Sequence, residues 1–205
     1  MITEIQSNKK KQLLEVVSEQ AGYFTAKQAL KRGYSYRLQH YHKSQGQWQE
    51  VDRGVFRLAD YPNSPHEDLI RWSLWSRNRQ DISQAVVSHE SALSVHDLSD
   101  VMPTRIHLTV PPTFRKMSPG GCILHRSILK LEEIEKHGGL FVTNPLRTIL
   151  DVAEGNLSLD HLEKAVRDAI GRGFVMPDHI KNASMSRNAK EKMRIVLENV
   201  RKFPF

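Results

Sequence analysis

Near residue 46 the spacing of apolar residues changes from helical to alternating, and few folds accommodate the chain on both sides of that change. From Asn8 to Gln20, Leu13, Leu14 and Val17, with Ala21 beyond, recur at helical spacing, and Gly22 follows as a stop. Thr25 is placed to cap a short helix Ala26 to Arg32 with Ala26, Ala29 and Leu30 inward, and Gly33 supplies the turn. Ser35 caps a third helix, Tyr36 to Gln45, in which Leu38 and Tyr41 are expected to face inward. After Gly46 the period is two: Trp48 to Val51 and Val55 to Leu58 flank Asp52-Arg53-Gly54 as a hairpin. Three short helices and a hairpin predict a winged helix-turn-helix over residues 1–61, with Tyr23, Phe24, Tyr34, Tyr41, Trp48 and Phe56 as its small core.

The run Tyr61-Pro62-Asn63-Ser64-Pro65 breaks the pattern and is taken as the boundary to a second domain, 62–205. Ser64 as cap, Pro65 first and Glu67 at the capping-box position predict a helix from 65 to about 77. A helix from 88 to about 97, strands at 105–110, 122–126 and 140–142, and helices opening at Pro145, Ser158 and about Ser186 follow from period and turn signals. The fold class expected is α/β in the α+β sense: a winged helix-turn-helix followed by a small sheet flanked by helices.

Charge indicates the partner. Net charge is +7, and residues 1–61 carry ten Lys/Arg against six Asp/Glu, while 62–205 carry twenty against seventeen. The excess is about three times denser at the front, which favours an anionic partner whose counterions lysine and arginine release. No apolar run approaches a membrane span, and the N-terminus lacks a secretory signal, so a cytoplasmic protein without membrane contact is expected. The single Cys122 is read as a buried structural thiol.

In a helix-turn-helix the second helix of the motif enters the major groove, where exposed side chains meet base edges. Here that nominates Tyr36, Arg37, Gln39, His40 and Lys43 as base and phosphate readers, with Ser35 at the helix start offering hydroxyl or N–H to a phosphate. Arg37 suits guanine and Gln39 adenine by two-pronged pairing. At the wing, Arg53 reaches a phosphate or the minor groove and Gly54 permits the turn. Arg57 is either a further phosphate contact or a partner of Glu50 across the hairpin. Lys9, Lys10 and Lys11 are either a solvated helix start or backbone contacts, and Arg147 is either an i+4 partner of Asp151 or part of a basic surface with Arg105 and Arg126.

Catalytic chemistry finds little support. His89-Glu90 and His96-Asp97 lie seven apart, but there is no HExxH and no third ligand at recognised spacing, so no metal or cofactor is expected. Asp151 with Glu154, and Glu163 with Asp168, are helix-surface pairs, and neither Gly120-Gly121 nor Gly138-Gly139 precedes Lys-Ser/Thr. A ligand-sensing regulator, with a pocket in the second domain, and a nuclease or nucleotide transferase are the alternatives to a non-enzymatic DNA-binding protein.

Two stretches carry a family resemblance. The first runs from Gly22-Tyr23-Phe24-Thr25-Ala26-Lys27-Gln28-Ala29 to Asp52-Arg53-Gly54-Val55-Phe56-Arg57-Leu58; the second pairs Ser88-His89-Glu90-Ser91-Ala92-Leu93 with Thr143-Asn144-Pro145-Leu146-Arg147-Thr148-Ile149-Leu150-Asp151. Together they resemble the AbiEi family of antitoxins, to about residue 175. The resemblance implies a bacterial antitoxin of a type IV toxin-antitoxin operon that represses its own promoter and counteracts a nucleotidyltransferase-like toxin without a stable complex. Two copies per operator are expected from operator symmetry.

Overall fold

In a computed structural model, which describes residues 2–202, the chain divides by its internal contacts into two units, residues 1–85 with 138–140 and residues 86–137 with 141–205.

The first unit runs α1 (Ile2–Glu19), β1 (Tyr23–Thr25), α2 (Ala26–Lys31), α3 (Tyr36–Ser44), β2 (Trp48–Asp52), β3 (Val55–Leu58) and α4 (Glu67–Trp75). Strand β1, three residues long, is too short to show an alternation and was not foreseen. It pairs antiparallel with β3 through Phe24 and Phe56, giving the sheet order β1-β3-β2. Helix, strand, two helices and a hairpin whose inner strand pairs with β1 is the winged helix-turn-helix arrangement. Thr25 and Gln28 close a reciprocal capping box at the start of α2, with Gln28 Oε1 accepting from Thr25 N at 2.8 Å. Leu13 and Val17 of α1, Phe24, Ala29, Tyr34, Trp48 and Phe56 form the core, with Phe24 edge-on to Trp48 at 4.7 Å.

Tyr41 does not join that core; it is 53% exposed. The inward stripe of α3 is Leu38, Gln39 and His42, and at 100° per residue Tyr41 falls about 100° from its centre. Gly22 is required where it stands: its φ is +89° and an added Cβ would meet the Tyr61 ring at 2.7 Å.

Helix α4 begins at Glu67, two residues later than its cap signals suggest. Ser64 is not its cap; instead Glu67 Oε2 accepts from the Ser64 N–H at 3.4 Å. The helix packs on β1 and β3, so the division by contacts falls at 85/86, beyond the 61/62 boundary read from the sequence.

The second unit contains β4 (Val86–Val87), α5 (His89–His96), β5 (Ile106–Val110), β6 (Cys122–Arg126), β7 (Ile134–His137), β8 (Leu140–Thr143), α6 (Pro145–Glu154), α7 (Leu159–Gly171), α8 (Pro177–Asn182) and α9 (Arg187–Lys202). Its sheet has the order β6-β5-β4-β8-β7 and is mixed: β5 runs parallel to β6 and antiparallel to β4, and β4 runs parallel to β8. A small sheet with flanking helices was expected; β4, β7 and α8, each six residues or fewer, were not. Asn144 caps α6 by accepting from Arg147 N at 2.8 Å, with Pro145 in the first turn. Ile149, Val152 and Ala153 of α6 are buried against Leu162 and Val166 of α7 and Met193 and Val196 of α9. Cys122 is buried, as expected. Among the described residues no helix is long and apolar enough to cross a membrane.

Candidate nucleic-acid interface

Helix α3 is fixed at both ends, which decides what its outer face can present. At its start Ser35 Oγ accepts from Leu38 N at 3.3 Å. At its end His42 stacks on Trp48, with centroids 4.9 Å apart and planes 15° apart, and its Nδ1 meets Gln47 Oε1. Lys43 reaches the other wing strand residue, Glu50, whose carboxyl it holds below the ordinary carboxylate range chiefly through that hydrogen bond. The helix and the hairpin are thereby tied into one surface.

Tyr36, 65% exposed, Arg37 and His40 stand free on the outer face with Tyr41. Arg37 makes no hydrogen bond or ion pair with any described residue, so its guanidinium is available for a two-pronged contact. Gln39 is not. It is 3% exposed, and its Nε2 donates to the carbonyls of Ala26 at 3.0 Å and Tyr34 at 2.8 Å, holding α3 to α2. The spacing of Leu38 and Tyr41 points Gln39 outward, but the buried face of α3 is centred on Leu38, Gln39 and His42, one residue away from that expectation. Lys43 is on the expected face but its ammonium is engaged by Glu50.

At the wing tip Arg53 is exposed, its N–H bonded to Asp52 Oδ1 at 2.7 Å, and Gly54 turns the chain at φ +69°. Arg57 belongs to neither of its expected settings. It is 9% exposed, and its Nη2 donates to the Tyr61 carbonyl at 2.9 Å and Asn63 Oδ1 at 2.8 Å, and meets Glu67 Oε2 at 3.3 Å. The irregular chain after β3, residues 59–66, leaves carbonyls that a buried guanidinium satisfies, and Glu50, the other partner considered, is occupied by Lys43.

Of the lysine run, Lys10 and Lys11 are exposed, whereas Lys9 is half-buried with its stem over Gly33, where a Cβ would come within 2.8 Å. The remaining candidates lie in the second unit and are not brought together. Arg105 donates to the Cys122 carbonyl at 3.2 Å, and Arg126 to the Phe114 carbonyl at 2.6 Å. They sit at opposite ends of the β5-β6 pair, about 16 Å apart by strand rise. Arg147 is held between Asp151 Oδ1 at 2.8 Å and Glu133 Oε1 at 2.9 Å, which is its structural reading, with one more carboxylate than the sequence suggested.

The second unit also holds a group that sequence reasoning missed. His89, for which no third ligand was apparent, lies with His107 and His125, one nitrogen of each within 4.8 Å of the others. His107 on β5 and His125 on β6 are eighteen residues apart in sequence, and only the parallel register, which sets Thr109 beside His125, puts them on one face. His96 does not take part; its Nε2 donates to the Thr143 carbonyl at 2.7 Å.

The fold of residues 23–58 and the exposed face of α3 define a winged helix-turn-helix protein. Residues 11–59 match the family profile described as "Transcriptional regulator, AbiEi antitoxin", so the resemblance read from the sequence holds over that stretch. The motifs at 88–93 and 143–151 lie outside the matched residues. No curated protein matches the sequence. Among solved structures, the RV2827C protein from Mycobacterium tuberculosis has a similar fold, with a TM-score of 0.60 over 93% of this chain and 76% of that one, at 12% identity.

Proposed function

We propose that the protein is a DNA-binding repressor and antitoxin of a type IV toxin-antitoxin operon, which binds its own promoter and opposes a nucleotidyltransferase-like toxin without forming a stable complex with it. The observation that carries this reading is the joint surface of α3 and wing, with Arg37, His40 and Tyr36 free on the helix and Arg53 free at the hairpin tip, within the stretch that matches the AbiEi regulators. In this reading α3 enters the major groove and Arg37 pairs with a guanine, Ser35 and Lys10 contact phosphates, and Arg53 reaches the backbone beside the groove. Repression follows from excluding polymerase, with two copies on a symmetric operator. The second unit performs no catalysis and serves the antitoxic role, and the protein acts in the cytoplasm.

The test is equilibrium binding of the full chain to its own upstream DNA and to an unrelated duplex across a salt series. Arg37→Ala is expected to weaken the upstream complex by about 1–3 kcal/mol while leaving the unrelated one nearly unchanged. Equal affinity of the wild type for both duplexes would remove the specific-repressor reading, and absence of binding would remove DNA as the partner.

A further inference from the structure

The geometry points to a binding site for a divalent transition ion of the zinc class in the second unit, built by His89, His107 and His125 with the Glu90 carboxylate beside them. The three imidazoles come from separate elements. His89 opens α5, and β5 and β6 present His107 and His125 on one face, with His107 Nδ1 3.1 Å from His125 Nε2. Two imidazole nitrogens sharing a tetrahedral ion at about 2.0–2.1 Å stand about 3.4 Å apart, so this pair is already at ligand spacing. The His89 ring lies on that of His125, centroids 3.5 Å apart and planes 13° apart, and one nitrogen of each of the three rings lies within 4.8 Å of the other two.

Three further observations suit a cation. Glu90 Oε2 is buried and lies 3.0 Å from His107 Nδ1, yet accepts no hydrogen bond, and Asp151 Oδ2, 4.0 Å from His89 Nδ1, is likewise buried without one. A buried carboxylate oxygen left without a donor is costly, and a nearby cation removes that cost. Burial first, and then the neighbouring His125 and His107, pushes His89 down to about 3; burial likewise lowers His107, with Arg105 beside it, and His125, with His107 beside it, against the opposing charge of Glu90. Neutral imidazole is the form that ligates a metal. His89 itself adopts φ +52°, a left-handed backbone that a non-glycine residue holds only when its surroundings fix it. The donor set of imidazoles and carboxylate suits zinc-like ions, not magnesium or calcium, which take oxygen ligands. Bound there, the ion cross-links α5 to the β5-β6 edge of the sheet.

The experiment uses the full chain, stripped with a chelator and dialysed against Zn2+ or Mg2+, with metal content and thermal unfolding measured. One zinc per chain, a raised unfolding temperature and no effect of Mg2+ are expected. His125→Gln is expected to weaken zinc binding by more than the roughly 10-fold expected for Glu90→Gln, while the exposed control His161→Ala binds as wild type. Zinc content unchanged in His125→Gln, or no zinc bound by the wild type, would overturn the site. Because His125→Gln could unfold, ring-nitrogen NMR of wild-type histidines provides an independent reading: zinc must shift three imidazoles together, and a spectrum in which none moves rejects the proposal. None of these outcomes depends on DNA binding.

Discussion

Arg37 and Gln39, two positions apart on α3, have opposite surroundings, and each sets its own experiment. Arg37 projects into solvent and can be removed without touching the fold. Gln39 bridges two backbone carbonyls under the helix. Gln39→Ala leaves the Ala26 and Tyr34 carbonyls without that donor in a buried setting, and should lower stability by about 1–3 kcal/mol in urea unfolding. DNA affinity measured well below the unfolding transition should stay near the wild-type value; a selective loss of upstream affinity in a fully stable variant would restore Gln39 as a base reader. Nothing in the residue type distinguishes these fates, since glutamine serves equally as a reader of adenine and as a buried clamp. The face was misplaced because Leu38 and Tyr41 look like an inward pair, whereas the wing selects Leu38 and His42 by stacking Trp48 on the latter.

At the scale of elements, α5 shows how the end of a helix is tied down by groups far away in sequence. Its C-terminal His96 donates to the Thr143 carbonyl at the end of β8, with Glu135 Oε1 3.6 Å from its other nitrogen. Arg172, just past α7, donates to the His96 and Asp97 carbonyls at 3.1 and 2.8 Å. Burial, helped by His137 and Arg172 and opposed by the Thr143 bond and Glu135, holds His96 below its ordinary value of 6.5. The unfolded chain therefore binds the proton more readily than the folded one. The contribution of His96 to stability is complete above about 6.5 and is lost as the pH falls through its lowered folded value. The metal-free protein should lose stability on acidification from neutral pH, and His96→Gln, which keeps a donor for Thr143, should flatten part of that slope in urea titrations at a series of pH values. An unchanged slope would mean that His96 is charged in the folded state. The remaining slope has the same sign, because His89, His107 and His125 are also lowered.

For the molecule as a whole, the dense positive charge of the first 61 residues and its few free arginines separate affinity from specificity. Arg53→Ala should reduce the dependence of log K on log salt by about 0.9 if it neutralises one phosphate, and should do so on any duplex. An unchanged slope would place the wing tip away from the backbone. The three helices, the hairpin and its Arg53-Gly54 tip, the caps at Thr25, Ser35, Asn144 and Ser158, and the apolar faces of α6, α7 and α9 were all legible in the sequence. These depend on local period and on side chains that bond backbone within three or four residues, so the information lies in a short window. What only the tertiary structure decided was every outcome that needs two distant segments to meet. Strand β1 exists because β3 offers it an edge, and α4 packs with the first unit because β1 and β3 leave a face to cover. Arg57 turns inward because the chain after β3 has unpaired carbonyls. His107 and His125 become neighbours only through a parallel register that no spacing in the sequence encodes, because strand pairing is set by the packing of whole elements and not by the residues between them.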